Sequence, residues 1–274
     1  MKRKLSTVFT YLILTVGGLI MIFPFFWMIA SSLKTPSEYA SYPPQWFPSN
    51  WFNFSNFVEA FQAAPFARYF LNSVIVTACS VTLTGFTTIL GAFAFSRLRF
   101  PGREAIFGLL LSLMMVPFEM LVITNYQTVT KLGLVDTLPV LIIPFSTSIF
   151  YTYILKNFFD TIPDSLYYSA KIDGASNWKY LWRVMVPIAK PSLVTIMLLN
   201  AISCWNSFMW TQISIHVDQY RTLPMGLFVF MSDAGSNQQL QLAAATVCVL
   251  PMIILFLFAR KYIVNGVARG GIKG

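Results

Sequence analysis

The residues best placed to do chemistry in this chain lie between Asn200 and Thr211. Asn200, Ser203, Asn206, Ser207, Trp210 and Thr211 recur at steps of three and four, which is one face of a helix. Amides and hydroxyls bond hydroxyls, and an indole stacks on an apolar ring face, so the stripe suits a pathway for a hydroxyl-rich solute. Contact between helices is the competing reading, because polar side chains also join helices in an apolar medium. A second stripe, Ser73, Thr77, Ser80, Thr84, Thr88 and Gly91, is made of small side chains and reads as close helix packing. Glu119, two residues after Pro117, is the carboxylate set deepest in an apolar run. An acid in that setting is a functional candidate by default. It suits equally a neutral, hydrogen-bonded role near the backbone that Pro117 leaves unpaired.

Other chemistries find little support. Cys79, Cys204 and Cys248 fall in different apolar runs with no metal-ligand or redox spacing. His216 stands without an acidic or cysteine cluster and reads as a solvated loop residue. No nucleophile elbow, phosphate-binding glycine loop or HExxH pattern occurs. No cofactor or metal is expected on this chain. If it takes part in an energy-requiring process, the ATPase belongs to another chain.

The elements that position these residues follow from composition. Hydrophobic residues make up 56% of the 274 positions, charged residues 11%, and the mean hydropathy is +0.65. Soluble domains carry about 25% charged residues, so the expectation is an all-α integral membrane protein, read as one domain over 1–274. Spans of about 20 residues fit at 8–30, 70–95, 105–128, 138–156, 192–212 and 243–262.

Charge gives the orientation. Lys2, Arg3, Lys4, Arg97, Arg99, Arg103, Lys156, Lys171, Lys179, Arg183, Lys190, Arg260, Lys261, Arg269 and Lys273 fall on one side of these spans, and Lys34, Arg68, Lys131 and Arg221 on the other. The positive-inside rule then puts both termini in the cytoplasm. The net charge of +9 thus describes topology, and no nucleic-acid partner is expected. The run from Val8 to Ala30 is too long for a signal-peptide core and reads as a retained first span. The external segment 35–68, with Pro43, Pro44, Trp46, Phe47, Pro48 and Trp51, suits the lipid interface.

The loop 158–190 is organised rather than blank. Thr161–Asp164 has a Thr-x-x-acid helix start with proline in the first turn. A short helix through Leu166, Tyr167 and Ala170 follows, and Gly174 supplies a turn. Ser176 or Asn177 caps a second helix whose Trp178, Leu181, Trp182 and Met185 form an apolar face, ended by Pro187. Such a face lies on a membrane surface or fills a groove on a protein.

The spacing of Ser169, Ala170, Gly174, Val184, Val186 and Pro187 resembles the EAA loop of permease subunits of binding-protein-dependent ABC importers. The AKIDGAS core and its W-x-x-L-W-R-V-x-x-P continuation are similar to the carbohydrate branch. FPFFWMIASSLK, PPQWFP, RYFLNSVIVT, AFAFSRLRFPGR, MMVPFEM, GLVDT, WNSFMW, TLPMGL and GVARGGIKG extend the resemblance along nearly the whole chain, toward the maltose-permease G-type subunits. The resemblance implies six helices with an EAA-type coupling helix between the fourth and fifth. The coupling residues would be Tyr168, Ser169, Ala170, Asp173, Gly174, Ala175, Trp178 and Pro187, with Ile272 and Lys273 in a tail that also meets the ATPase. Tyr168 stands where the family usually has glutamate, so a Glu–Arg contact to the ATPase is unavailable here. The implied partners are a second homologous permease, two ATPase subunits that bind ATP and Mg, an extracytoplasmic sugar-binding protein and membrane lipid. The implied location is a prokaryotic inner membrane, and the implied action is sugar import by alternating access. The alternative from another class is an ion-coupled carrier or channel acting without an ATPase. A membrane-embedded enzyme is disfavoured, since His, Asp, Glu and Cys do not converge.

Overall fold

The computed structural model describes residues 2–228, 230 and 238–270, and every regular element among them is helical. In chain order these are α1 (Lys2–Ser32), α2 (Pro36–Tyr39), α3 (Ser55–Ala63), α4 (Phe66–Arg97), α5 (Arg103–Leu113), α6 (Phe118–Lys131), α7 (Pro139–Ile142), α8 (Ile149–Asp160), α9 (Asp164–Ile172), α10 (Asn177–Tyr180), α11 (Val186–Ile188), α12 (Lys190–Trp205), α13 (Met209–Ser214), α14 (Leu223–Gly226) and α15 (Gln238–Gly270). A tight helical turn over Ile143–Phe145 extends α7, and a wide turn over Leu181–Met185 joins α10 to α11.

Among the described residues, three segments are long and apolar enough to cross a bilayer unbroken: Thr7–Ser32, Phe66–Arg97 and Gln238–Phe258. Three bent helix pairs fall at the other expected spans, and up to six spans result when each pair counts as one. The third pair joins Asn177–Ile188 to Lys190–Trp205 at 81°, a bend that precedes the expected span 192–212. The expected helix 105–128 is interrupted at residues 114–117, and α5 and α6 meet at 98°. Pro117 has no N–H to extend the ladder, and its ring collides with the carbonyl four residues back. The expected span 138–156 bends by 44° where Phe145 gives way to Ile149. The carbonyls freed there accept from α4: Thr84 Oγ1 donates to Phe145 O and Thr87 Oγ1 to Ser146 O, both at 2.8 Å. Irregular backbone at membrane depth is tolerated when its polar groups are paired in this way. The stripe on α4 is therefore a packing face, with Ser73, Ser80, Thr84 and Thr88 all buried. A Cβ at Gly91 would sit 3.1 Å from the Thr152 methyl. The expected span 192–212 stops at Trp205 and restarts as α13.

The chain forms two compact units, residues 1–67 with 223–251 and residues 68–222 with 252–274. In the first, α1 is apolar all round and exposes its large side chains from Val8 to Ile29, as a helix solvated by lipid does. The turn after α1 is closed by Asn56, whose amide donates to Ser32 O and Lys34 O, both at 2.8 Å. Lys34 is buried over the Trp27 ring at 4.1 Å and donates to Gln45 O at 2.6 Å. Burial lowers its pKa from the ordinary lysine value, against an opposing pull from Glu38. Trp46 and Phe47 of the proline-rich segment pack beside Phe23, Trp27 and Phe26 at the end of α1.

The second unit holds two apolar cores. One joins Ile89, Ala92 and Phe93 of α4 to Leu155 and Phe159 of α8 and to Tyr180, Leu181, Met185, Ile196 and their neighbours. The other gathers Val76, Val129, Val140, Leu141, Trp210 and Ile215.

Candidate functional site

The segment from Asp164 to Ile188 folds as an elbow. Its entry differs from the sequence reading: Thr161 closes α8, its hydroxyl donating to Phe158 O, and Pro163 precedes α9. α9 ends at Ile172, and Gly174, just past its cap, has a φ of +72° that favours glycine. The Gly174 N–H donates to Lys171 O (3.0 Å) and the Ala175 N–H to Ala170 O (2.8 Å), a Schellman turn. Ser176 then caps α10 by accepting from the Lys179 N–H. Pro187 has no N–H to donate back to the preceding turn, where the ladder is widened and the Val186 N–H reaches Leu181 O.

The apolar face expected on the second short helix is divided. Leu181 and Met185 are buried in the core and Trp182 stacks near Phe86, while Trp178 remains 58% exposed. Around the Gly174 turn, Ser169, Asp173 and Gly174 are exposed, Ala170 and Ala175 half-buried, and Pro187 exposed. Two apolar residues join this surface that sequence reading did not place there: Ile172, 87% exposed, and Leu166. An isoleucine directly before Asp-Gly at a helix end was the available signal. Ile272 and Lys273 lie outside the described residues.

The elbow is tied to α4 by arginines that sequence reading assigned only to topology. Arg97, its side chain 6% exposed, pairs with Asp164 at 3.1 Å and donates to Phe159 O and Ile162 O at 2.7 and 2.5 Å. Arg99 donates to the Tyr168 hydroxyl at 3.2 Å. Tyr168 is thus held from within the chain while half its surface stays open. An open recess of about 970 Å³ runs beneath, lined by Arg97, Arg99, Arg103, Lys156, Asp160 and Asp164 among others.

The polar stripe between Asn200 and Thr211 is split by the break between α12 and α13. Asn200, Ser203, Ser207 and Thr211 line a cavity of about 270 Å³ together with Cys204. Asn206 ends α12 and is exposed, outside that lining. Trp210 turns away: it is 2% exposed, its Nε1 donates to Val140 O at 3.0 Å, and Phe118 and Phe145 meet it edge-on. Its indole therefore braces α13 against α7 and offers no face to a solute. Glu119 sits in the first turn of α6, exposed and also outside the cavity. Thr147 and Ser148 from the break before α8, Tyr151 from the first turn of α8, and Thr222 complete the polar lining. No spacing rule could have gathered these, since they come from separate breaks in separate helices.

Comparison with known proteins fits this architecture. The chain is 34% identical to the inner membrane ABC transporter permease protein YcjP of Escherichia coli K12, over 100% of this chain and 99% of that one. It is 29% identical to the arabinooligosaccharides transport system permease protein AraQ of Halalkalibacterium halodurans, over the full length of both. Its fold is similar to a chain from the crystal structure of a bacterial ABC transporter that imports the acidic polysaccharide alginate. The TM-score is 0.86 at 23% identity, covering 96% of this chain and 98% of that one. Residues 87–269, the part that carries the elbow, the helix breaks and all of the cavity's polar lining, match the family model for the inner membrane component of binding-protein-dependent transport systems, and the chain belongs to that family.

Proposed function

We propose that this protein is one of two permease subunits of an ATP-driven importer for a sugar or oligosaccharide, and that each contributes half of the pathway. Family membership makes it a transport component rather than an enzyme. ATP and Mg are assigned to two ATPase subunits on other chains, and delivery to an extracytoplasmic binding protein. The saccharide class is carried over from relatives such as the arabinooligosaccharide permease. The orientation, with both termini in the cytoplasm, rests on the distribution of Lys and Arg.

The observation that carries the coupling role is the exposed apolar tip of the elbow. Ile172 and Trp178 stand in the open on either side of the Gly174 turn, while Arg97 clamps the base of α9 to α4. A short helix with an apolar tip and a rigid root is suited to seat in a cleft of an ATPase and to pass its movement to the spans. Alternating access then follows as motion of the bent helix pairs around the pathway. With Tyr168 in place of the family's usual glutamate, docking rests on shape, aromatic packing and hydrogen bonds.

The test is purification of the tagged chain from its native host in mild detergent, beside the variants Ile172→Asp and Gly174→Asp. The native chain should bring down an ATPase and a second permease. Ile172→Asp should lose the ATPase and keep the permease, because an 87% exposed side chain takes no part in the chain's own core. Recovery of the chain alone, or of the same partners with both variants, would overturn the docking role.

A further inference from the structure

The cavity between the helix breaks has a lining that selects for charge. We propose that it is a subsite of this subunit for a single uncharged sugar ring, and that it discriminates against uronic acids and phosphorylated sugars. This rests on the importer reading given above.

The lining is polar without being ionic. Asn200, Ser203, Ser207, Thr211, Thr147, Ser148, Tyr151 and Thr222 supply amide and hydroxyl groups, Cys204 a thiol, and no Lys, Arg, Asp, Glu or His joins them. Some of these groups are already engaged. Asn200 Oδ1 accepts from Cys204 Sγ at 3.5 Å, Thr211 donates to Ser207 O, and Ser148 caps α8. Thr222 is different: it is 6% exposed, it lines the cavity, and its hydroxyl has no hydrogen-bond partner among the described residues. Buried hydroxyls are normally paired; Thr222 Oγ1 has essentially no accessible surface and lies behind the cavity wall, so a ligand hydroxyl meets it when the side chain turns about χ1.

Apolar surface complements these groups. Phe145, Phe150 and Tyr151 line the same space with Val76 and Leu141. A sugar ring presents hydroxyls around its edge and C–H groups on its faces, so mixed walls of this kind match it. Size limits the occupant. Ligand pockets usually run from about 300 to 1,000 Å³, so a cavity of about 270 Å³ takes one ring rather than a chain. Charge limits it further. A carboxylate or phosphate moved out of water into a site without a cation pays its desolvation uncompensated. Placement agrees as well: the cavity lies where α8 begins after one break and α12 gives way to α13 at another. In transporters, discontinuous helices of this sort surround solute sites.

The test reads occupancy at the cavity wall of the assembled complex, independently of transport. In a chain carrying Cys79→Ser, Cys204→Ser and Cys248→Ala, Ser203→Cys becomes the reporter, and its rate of reaction with N-ethylmaleimide is measured. The probes are maltose, cellobiose, melibiose and arabinobiose, with digalacturonate as the charged counterpart, each at millimolar concentrations. At least one neutral disaccharide should slow labelling threefold or more, while digalacturonate leaves the rate unchanged. Adding Thr222→Val, which keeps the volume and removes the hydroxyl, should weaken that protection several-fold. Absence of protection by every neutral sugar, or equal protection by digalacturonate, would overturn the subsite. Protection that persists undiminished with Thr222→Val would remove that hydroxyl from it. Partner recovery is scored separately on the same preparations. A complex that assembles without protection sinks the subsite alone, and a chain that recruits no ATPase sinks the importer reading instead.

Discussion

Single side chains fix the loops that frame this molecule's functional features. Arg97 is the strongest case, because its guanidinium meets one carboxylate and two carbonyls at the foot of α9. Arginine's planar fork suits several acceptors at once, which lysine cannot reproduce. Asp136 performs a similar task between α6 and α7. Its Oδ1 accepts from the His216 and Val217 N–H groups, and its own N–H donates to Ser214 O. The His216 N–H, with a smaller contribution from Val217, holds the Asp136 carboxyl below the usual aspartate pKa. A depressed carboxylate stabilises the fold above its unfolded pKa of about 3.9, and that contribution disappears as pH falls through the lower folded value. Asp136→Asn tests this cleanly, since asparagine also tolerates the positive φ of 60° found here. At pH 7 the variant should be less stable by about 0.5–1 kcal/mol, the range for a partly exposed, charge-assisted contact. Thermal melts in detergent between pH 7 and pH 3 should draw closer to those of the native chain as the pH falls below the unfolded value. A constant gap across that range would show that the charge is not what matters.

At the scale of elements, turn chemistry decides where helices stop. Gly174 has open space where a Cβ would stand, so any cost of substitution there is the cost of the left-handed backbone alone. That predicts an order. Gly174→Asn should retain the elbow, whereas Gly174→Val should cost about 1–2 kcal/mol and fray the end of α9. Amide exchange at Ala175, whose N–H closes the turn on Ala170 O, reports this directly. Similar protection in both variants would mean that the Schellman turn is not held by backbone preference. The same logic explains the breaks within the spans. Pro117 stops α5 from running into α6, and Thr84 and Thr87 of α4 pair the carbonyls exposed at the bend before α8. A break at membrane depth survives because its polar groups find partners on the next helix.

For the whole molecule, orientation is the property that organises the rest. Under the proposed function the elbow faces the cytoplasm, where an ATPase would meet it, and the segment after α1 faces outward. Tyr42 is 96% exposed and Ser169 is exposed, so cysteines at these positions should react without disturbing the fold. In intact cells a membrane-impermeant maleimide should label Tyr42→Cys and spare Ser169→Cys until the membrane is permeabilised. The reverse pattern would invert the topology and remove the elbow from the ATPase side.

The amino-acid sequence by itself determined the class of the protein, the apolar segments from which its spans are built and the short helix pair around Gly174. Each of these is written locally: hydropathy accumulates over some twenty consecutive residues, and a cap, a glycine and a proline mark out a short helix pair within one loop. The sequence also placed Asn200, Ser203 and Ser207 on one face, which the fold preserves. Only the tertiary structure decided which polar groups share a cavity. Trp210, on the same helical spacing, is drawn off by Val140, 70 positions earlier, while Thr222 enters from the segment before α14 and Tyr151 from α8. Likewise Arg97 and Arg99 read as inside charges until α9 was seen folded against them. Periodicity describes one helix at a time. A site assembled at several helix breaks depends on contacts between segments far apart in the chain, and no local pattern records those.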